Sequence, residues 1–343
     1  MKTLFLASAT MACGLALATP ASSAAYNFVT LSVPGATPGN YLAVSGLNDL
    51  GQAIVTEEEP NVSFDFTTID DVYNWHTNTY TPLPAYPGST PNSTQSFDIN
   101  NAGVVVGDYH ATGIVWSGFT LSGGSFTPVI YPAGSPYSYP IGISNNGDLA
   151  GLWVDDSGNL HGYVRIGSTF TSLDVPASWG NETSGSAINN AGTAVGIYSP
   201  PGESSNDFGT EPFLWSGGSF SQGALPAGYA YGVYNDINDH GVIVGTATND
   251  PVNGTGSVSF VDVGGIFSLI SDPLGVGGTS VYGINNEGVL GGEYVDADGN
   301  EQAFLAFPVS EPGALGLLGA GVIGLVLVRR RVVRTNEGLS RTA

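Results

Sequence analysis

One short phrase of hydrophobic and polar residues occurs six times along the chain. Each copy begins with Leu or Ile, continues through polar positions rich in asparagine, and ends on a glycine. The copies span residues 47–51, 99–103, 143–147, 188–192, 237–241 and 284–288. Their final glycines are 52, 44, 45, 49 and 47 residues apart. A period in the forties, made of short strand-like segments, is typical of a stacked or radial β architecture.

The fourth copy illustrates what one repeat unit encodes. Residues 186–189 and 193–198 are strand-like and flank an Asn-x-Gly turn. This turn suits a three-residue hairpin because Asn tolerates left-handed geometry and Gly adopts it freely. A Pro-Gly loop and two further strand-like segments, residues 212–215 and 219–226, complete the unit. Four strands in about 47 residues match one blade of a β-propeller.

Two further positions recur between the units. A glycine lies four residues after the turn glycine at Gly107, Gly151, Gly196, Gly245 and Gly292. We interpret it as a site of close strand packing near the propeller axis. The third strand carries an aromatic residue at Tyr73, Tyr163, Phe213, Phe260 and Phe304. These aromatic positions favour core packing, with a sugar-stacking platform as the alternative.

The two ends of the repeat array complement each other. The sixth unit has no fourth strand after Phe304-Leu305-Ala306-Phe307, whereas residues 27–34 resemble the fourth strand of the third unit, residues 169–176. A ring that pairs the first strand with the last unit would remove exposed sheet edges. We therefore predict an all-β propeller over residues 26–308, with six blades of four strands, in which residues 28–33 pair with the strand that contains Phe304.

The N-terminal 25 residues have the features of a secretory signal peptide. Lys2 precedes an apolar run from Leu4 to Ala18, and small residues follow it. Cleavage is expected near Ala24 or Ala25, after export by the Sec machinery. An N-terminal membrane anchor is the alternative interpretation.

The C-terminal segment, residues 309–343, has three parts in a fixed order. A Ser-Glu-Pro motif that contains Glu311 and Pro312 precedes an uncharged run at residues 313–328, and an arginine cluster closes it. As a helix this run would span about 24 Å, short of the roughly 30 Å hydrocarbon core of a bilayer. The cluster, which should keep this end in the cytoplasm, consists of Arg329, Arg330 and Arg331.

These three parts resemble the PEP-CTERM sorting signal of bacteria that make extracellular polysaccharide. Glu311 and Pro312 match the motif, while Ser310 replaces its first proline. The resemblance implies processing by exosortase, a membrane transpeptidase-like enzyme, and a protein that is first anchored and then placed at the cell surface or in the matrix. The alternative is a plain single-pass anchor.

The repeat unit itself resembles the extracellular HAF repeats. Those repeats combine the Ile-Asn-Asn-x-Gly phrase with a Val-Gly-x-Tyr segment and an aromatic third strand. Their His-Ala-Phe triplet is degenerate here and reads Gln302-Ala303-Phe304 in the last unit. The resemblance implies an exported surface protein of unassigned biochemistry.

The charge distribution excludes one class of partner. Residues 26–310 contain 27 acidic residues and one basic residue, Arg165, which gives this segment a net charge of −26. Such a surface repels phosphate backbones, so we expect no nucleic-acid partner. Cations and neutral glycans remain possible partners.

The sequence suggests one candidate metal site and no catalytic set. Cysteine nucleophiles, Gly-x-Ser-x-Gly and His-Glu-x-x-His motifs are missing from the mature segment. A loop with alternating oxygen ligands is a candidate for weak calcium binding by Asp296, Asp298, Asn300 and Glu301. An ordinary turn is the competing interpretation of this loop and of the similar loop at residues 155–159.

Taken as a whole, these features predict a non-enzymatic surface or matrix protein that is associated with extracellular polysaccharide. They imply no cofactor, apart from calcium at the candidate loop of residues 296–301. A glycan-active hydrolase or lyase on the same scaffold is the alternative. Two carboxylates that converge in one cleft, about 5–9 Å apart, would favour the enzyme.

Overall fold

The described part of the protein is built from β-strands. The structure is a computed structural model that describes residues 26–59, 68–90, 93–111, 116–132, 135, 137–203 and 209–309. Within these ranges the chain forms 24 strands and no helix, which confirms the all-β prediction.

Four sheets contain four antiparallel strands each, in a propeller arrangement. The first consists of β2 (Tyr41–Leu47), β3 (Gln52–Glu58), β4 (Thr68–Asn74) and β5 (Thr79–Pro82). The second consists of β14 (Asn181–Ile188), β15 (Ala194–Ser199), β16 (Glu211–Ser216) and β17 (Ser219–Gln222). The third consists of β18 (Tyr231–Ile237), β19 (Ile243–Thr248), β20 (Val258–Val263) and β21 (Ile266–Ile270). The fourth consists of β22 (Gly278–Ile284), β23 (Leu290–Val295), β24 (Glu301–Pro308) and β1 (Tyr26–Thr30).

The remaining strands form a single sheet of eight. One half consists of β6 (Thr94–Ile99), β7 (Val105–Tyr109), β8 (Ser117–Ser122) and β9 (Ser125–Val129). The other half consists of β10 (Ser138–Ile143), β11 (Leu149–Val154), β12 (Leu160–Ile166) and β13 (Thr169–Leu173). Each half follows the antiparallel order of the four-stranded blades.

The prediction of six separate four-stranded blades is therefore wrong. Strands β8 and β10 lie side by side in parallel and pair at Ser117 and Ser138, which joins the two halves. Gly118 permits this approach, because a Cβ atom there would lie 2.5 Å from Cδ of Pro140 and 2.7 Å from Cα of Tyr139. The arrangement consists of four four-stranded blades and one larger sheet.

The N-terminal strand closes the arrangement, as the sequence predicts. β1 pairs antiparallel with β24, from Tyr26 opposite Pro308 to Thr30 opposite Phe304. The Leu31 amide extends the pairing by donating to the Ala303 carbonyl oxygen at 2.8 Å. The pairing thus begins at Tyr26, two residues earlier than predicted, and covers the edge of the last sheet. All described strands that build the ring lie within residues 26–309.

The core lies between neighbouring sheets and explains the recurring residues. The third-strand aromatics Tyr163, Phe213, Phe260 and Phe304 are fully buried, and Tyr73 is nearly so, which confirms core packing. The recurring glycines are required beside them. A Cβ atom at Gly196 or Gly245 would overlap the carbonyl oxygen of the adjacent first strand and would lie within 2.8 Å of the third-strand phenylalanine ring.

The predicted terminal segments lie outside the described residues. This applies to the signal peptide, residues 1–25, and to the sorting helix, residues 313–328. Among the residues that the structure describes, no helix has the length and apolar character needed to cross a membrane.

Candidate functional site: the axis of the propeller

The six repeated turns meet at one end of the axis, and in five of them the first asparagine links its turn to the next. Each side-chain amide donates to the backbone carbonyl oxygen of the following turn at 3.0–3.1 Å. Each side-chain oxygen accepts two backbone N–H groups of its own turn at 2.9–3.1 Å. The linking residues, all buried, are Asn48, Asn100, Asn189, Asn238 and Asn285. We call this set the asparagine ring.

The asparagine ring closes across the chain ends but is interrupted once. The Asn285 amide donates to the carbonyl oxygen of Asn48, 237 residues away in sequence. In the third turn Ser144 replaces asparagine, and its hydroxyl only accepts the Asp148 amide at 3.1 Å. There Asn146 donates instead to both oxygens of Asn190, at 3.1 and 3.0 Å. The phrase therefore encodes contacts between turns as well as the turns themselves.

Two carboxylates lie further along the axis, below the asparagine ring. Asp98 on β6 accepts the amides of Ile99 and Ile143 at 2.7 and 2.9 Å. Asp236 on β18 accepts the amides of Ile237 and Ile284, both at 2.7 Å. Each carboxylate thus joins two neighbouring repeat units. Small residues occupy the corresponding position in the other units, at Gly46, Gly142, Ala187 and Gly283.

Burial controls the protonation of this pair. Desolvation raises the pKa of Asp236 to about 6, although two backbone N–H groups oppose the shift. Desolvation also raises the pKa of Asp98 well above its ordinary value, and the negative charge of Asp236 raises it further. The pair therefore holds protons in a pH range where exposed carboxyl groups are ionised.

A cavity of 340 Å³ opens on the other side of this pair. First strands from every repeat unit contribute to its wall, so the cavity lies on the axis. Its lining includes, from successive units, the side chains of Ser45, Phe97, Ile141, Ser186, Asn235 and Tyr282. We call it the axial cavity. A smaller cavity of 50 Å³ lies on the turn side, and Asp98 and Asp236 line both.

Two tyrosines that line the axial cavity, Tyr41 and Tyr282, lie in a cluster with Glu293. The Tyr282 hydroxyl donates to Oε1 of Glu293 at 2.8 Å and lies 3.3 Å from the Tyr41 hydroxyl. The second oxygen of Glu293 is buried without a hydrogen-bond partner among the described residues. Desolvation raises the pKa of Glu293, and desolvation followed by the charge of Glu301 raises that of Glu58, which also lines the cavity.

The predicted calcium ligands lie elsewhere, in the turn before β24. Asp296 accepts the amides of Asp298 and Asn300 at 2.9 Å. Its other oxygen accepts the side-chain amides of Asn300 and Gln302, both at 3.3 Å. These bonds, chiefly the one from the Asn300 amide, lower the pKa of Asp296. Within the described ranges, no three His, Cys, Asp or Glu side chains are grouped to hold a metal ion. Calcium binding by Asp296, Asp298, Asn300 and Glu301 stays a prediction.

The predicted processing residues lie outside the described residues. They are Ala24, Ala25, Glu311, Pro312, Arg329, Arg330 and Arg331. The sequence reasoning in turn missed the axial residues Asp98, Asp236 and Glu293. Asp98 and Asp236 leave one signal in the sequence, because each stands where the other repeat units have glycine or alanine.

Comparison with known proteins identifies the C-terminal segment. The PEP-CTERM protein-sorting motif matches residues 308–331 and so begins at the last residue of β24. The chain thus carries the motif that directs export and sorting through an exosortase-type membrane enzyme. No curated protein matches the sequence. The resemblance of the repeats to HAF repeats stays a prediction.

The fold is similar to solved structures of low sequence identity. One is a protein of unknown function from Dyadobacter fermentans, with a TM-score of 0.51 and 10% identity over 81% of this chain and 96% of that chain. Another is a TolB candidate protein from Agrobacterium tumefaciens, with a TM-score of 0.51 and 14% identity over 80% of this chain and 92% of that chain. At such identity the likeness shows the fold alone.

Proposed function

We propose that the protein is a non-enzymatic surface or matrix protein that binds extracellular polysaccharide through its axial cavity. The observation that carries the proposal is the position of the sorting motif, which begins at Pro308, the last residue of β24. Export by the Sec machinery and processing by exosortase would then place the whole propeller outside the inner membrane.

The axial cavity supports a binding role. Its volume of 340 Å³ falls in the range of small-ligand sites. Aromatic rings of Tyr41, Phe97 and Tyr282 lie beside hydrogen-bonding groups of Ser45 and Asn235. This combination suits a sugar, because a sugar presents apolar C–H faces to rings and hydroxyl groups to polar side chains.

A glycan-active enzyme is the second candidate, and one observation favours it. Asp98 and Asp236 line the same cavity, and the charge of Asp236 affects the pKa of Asp98. Against it, both oxygens of each carboxylate accept backbone N–H groups, as described above. Carboxylates engaged in this way are suited to linking strands rather than to transferring protons to a substrate, so binding remains the proposal.

A glycan-binding experiment tests the proposal. Residues 26–309, the segment that contains every described strand, are applied to immobilised glycans with and without calcium. We expect retention on a glycan whose chain length, measured by mass spectrometry, stays unchanged. Shortened products that disappear in Asp98→Asn or Asp236→Asn would establish the enzyme instead, and a lack of binding to any glycan would refute the proposal.

The C-terminus of the native surface protein tests the sorting step. We expect its mass to exclude Arg329, Arg330 and Arg331, and we expect Glu311→Ala combined with Pro312→Ala to block this processing. Glu337→Ala, beyond the arginine cluster, is the matched control and should be processed normally. Surface protein that ends at Ala343 would contradict processing.

A further inference from the structure

The charge around the axial cavity is of one sign. Glu58, Asp98 and Asp236 line it, and no lining residue is basic. Glu293 and Glu301 lie close enough for the charge of Glu301 to raise the pKa of Glu58 and to contribute to that of Glu293. The one basic residue between Tyr26 and Pro308, Arg165, donates to the Gly147 carbonyl oxygen in the third turn. A positively charged ligand would therefore gain more electrostatic binding free energy in this cavity than a neutral or negative one.

The walls favour an organic cation over a metal ion. Among the described residues no three His, Cys, Asp or Glu side chains are grouped to hold a metal ion, and the oxygens of Asp98 and Asp236 already accept backbone N–H groups. Three aromatic side chains, Tyr41, Phe97 and Tyr282, instead face the space. Aromatic rings beside carboxylates recognise ammonium groups through cation–π contacts and charge-assisted hydrogen bonds.

A buried polar group also lines the cavity. Thr56 is 4% exposed, and its hydroxyl forms no hydrogen bond of normal geometry among the described residues, although it lies near enough to Asp70 to lower the pKa of that carboxyl group. A buried polar atom without a partner costs free energy unless a ligand or water satisfies it. The cavity thus offers a hydrogen-bonding group in addition to charge and aromatic surface.

From these observations we infer that the axial cavity binds an amino sugar, with its ammonium group beside the Glu58 carboxylate and its ring against the aromatic side chains. This inference rests on the proposed function, because it names the class of polysaccharide that the protein binds: one whose sugars carry free amines. The acetylated form of the same sugar lacks the positive charge and should bind more weakly.

The test compares a glucosamine tetrasaccharide with its N-acetylated counterpart by calorimetry on residues 26–309, at a pH where the amine is protonated. We expect the amine form to bind at least about tenfold more tightly, the equivalent of one charge-assisted contact. Glu58→Gln should remove this preference. Glu59→Gln, one residue further along and exposed, is the matched control and should retain it.

The outcomes separate the inference from the proposed function. Equal binding of both tetrasaccharides would overturn the amino-sugar inference and leave glycan binding intact. Binding of neither, together with no binding to other glycans, would contradict the proposed function itself. Phe97→Leu provides a second variant without a charge change: we expect weaker binding of both tetrasaccharides with an unchanged melting temperature, and unchanged affinity would overturn the cavity as the site.

Discussion

The asparagine ring and the axial cavity are built from the same six repeats, but the residue is nearly uniform at the ring position and varied at the cavity position. In the ring, five of six linking positions hold the same residue, and the exception, Ser144, interrupts the chain of hydrogen bonds. In the cavity, the position two residues before the Leu or Ile of each phrase holds serine, phenylalanine, isoleucine, asparagine or tyrosine. The repeats are uniform where they hold the units together and varied where they face the enclosed space.

This difference teaches how one protein separates stability from recognition. An asparagine in the ring tolerates little change, because its side chain must both accept two amides and donate to the next turn. A side chain in the cavity faces open space, so its identity affects what the cavity can bind. The β6 strand and the turn after it contain both kinds of position, at Phe97 and Asn100.

The largest expected effect comes from breaking the asparagine ring. Asn100→Ala removes three hydrogen bonds at 3.0–3.1 Å and leaves two amides and the Ser144 carbonyl oxygen without this partner. We expect the free energy of unfolding to fall by about 2–4 kcal/mol, measured by chemical denaturation. The exposed Asn253 provides the control, and Asn253→Ala should cost clearly less. Equal losses in the free energy of unfolding for the two variants would show that the asparagine ring adds no more stability than an exposed asparagine.

Carboxyl groups in the interior predict an unusual pH dependence of stability. Burial raises the pKa of Asp70 to about 7 and that of Asp236 to about 6, against an ordinary value of 3.8. An acid whose pKa is raised by folding binds protons more readily in the folded state, so stability increases as the pH falls from about 7 to about 4. Asp155 and Asp250, with pKa values near 2, reverse the trend below that range.

We therefore expect the melting temperature to reach its maximum in mildly acidic buffer. The gain in the free energy of unfolding over pH 7 should be about 1–3 kcal/mol, measured by denaturation at constant ionic strength. Asp70→Asn should reduce the gain. A melting temperature that is highest at neutral pH would contradict the burial of these carboxyl groups.

A smaller effect should follow from completing the asparagine ring. In Ser144→Asn the new amide can donate to the Asn189 carbonyl oxygen, as its counterparts do in the other turns. We expect a gain of about 0.5–1.5 kcal/mol in the free energy of unfolding, seen as a higher denaturation midpoint. Ser186→Asn, which places the same residue in the cavity, is the control and should bring no such gain. If the Ser144→Asn variant is less stable instead, the link between the third and fourth turns depends on the contacts of Asn146 with Asn190.

The smallest effect on stability is expected in the cavity. Phe97 is partly buried and lies 5.8 Å from the Tyr139 ring. We expect Phe97→Leu to change the free energy of unfolding by less than about 1 kcal/mol, measured by the same denaturation as Asn100→Ala. A loss as large as that of Asn100→Ala would remove the distinction between the two regions.

The sequence alone was sufficient for features that depend on one repeat unit. The hairpins, the buried third-strand aromatics and the glycines at close approach all follow from residue types at fixed spacing. The pairing of β1 with β24 was also predictable, because residues 27–34 repeat the pattern of residues 169–176. These features depend on short-range pattern, and the repetition makes the pattern visible.

Features that depend on contacts between units could not be predicted. The repeated phrase predicts a turn, but the hydrogen bond from Asn285 to Asn48 becomes apparent only when the ring is closed. The union of β6–β13 into one sheet depends on the absence of a side chain at Gly118, one glycine among 50 in the chain. Asp98 and Asp236 come together from positions 138 residues apart, which no local spacing indicates.

Hydrogen exchange measured by mass spectrometry, with and without the glucosamine tetrasaccharide, tests the division between the two regions most directly. The account predicts slow exchange in the peptides that contain residues 48–52, 100–104 and 238–242, whether or not the sugar is present. We expect the sugar to slow exchange only in peptides that line the axial cavity, which include residues 41–46, 95–98 and 278–283. Fast exchange in the turns, or protection by the sugar confined to peptides outside the cavity, would contradict it.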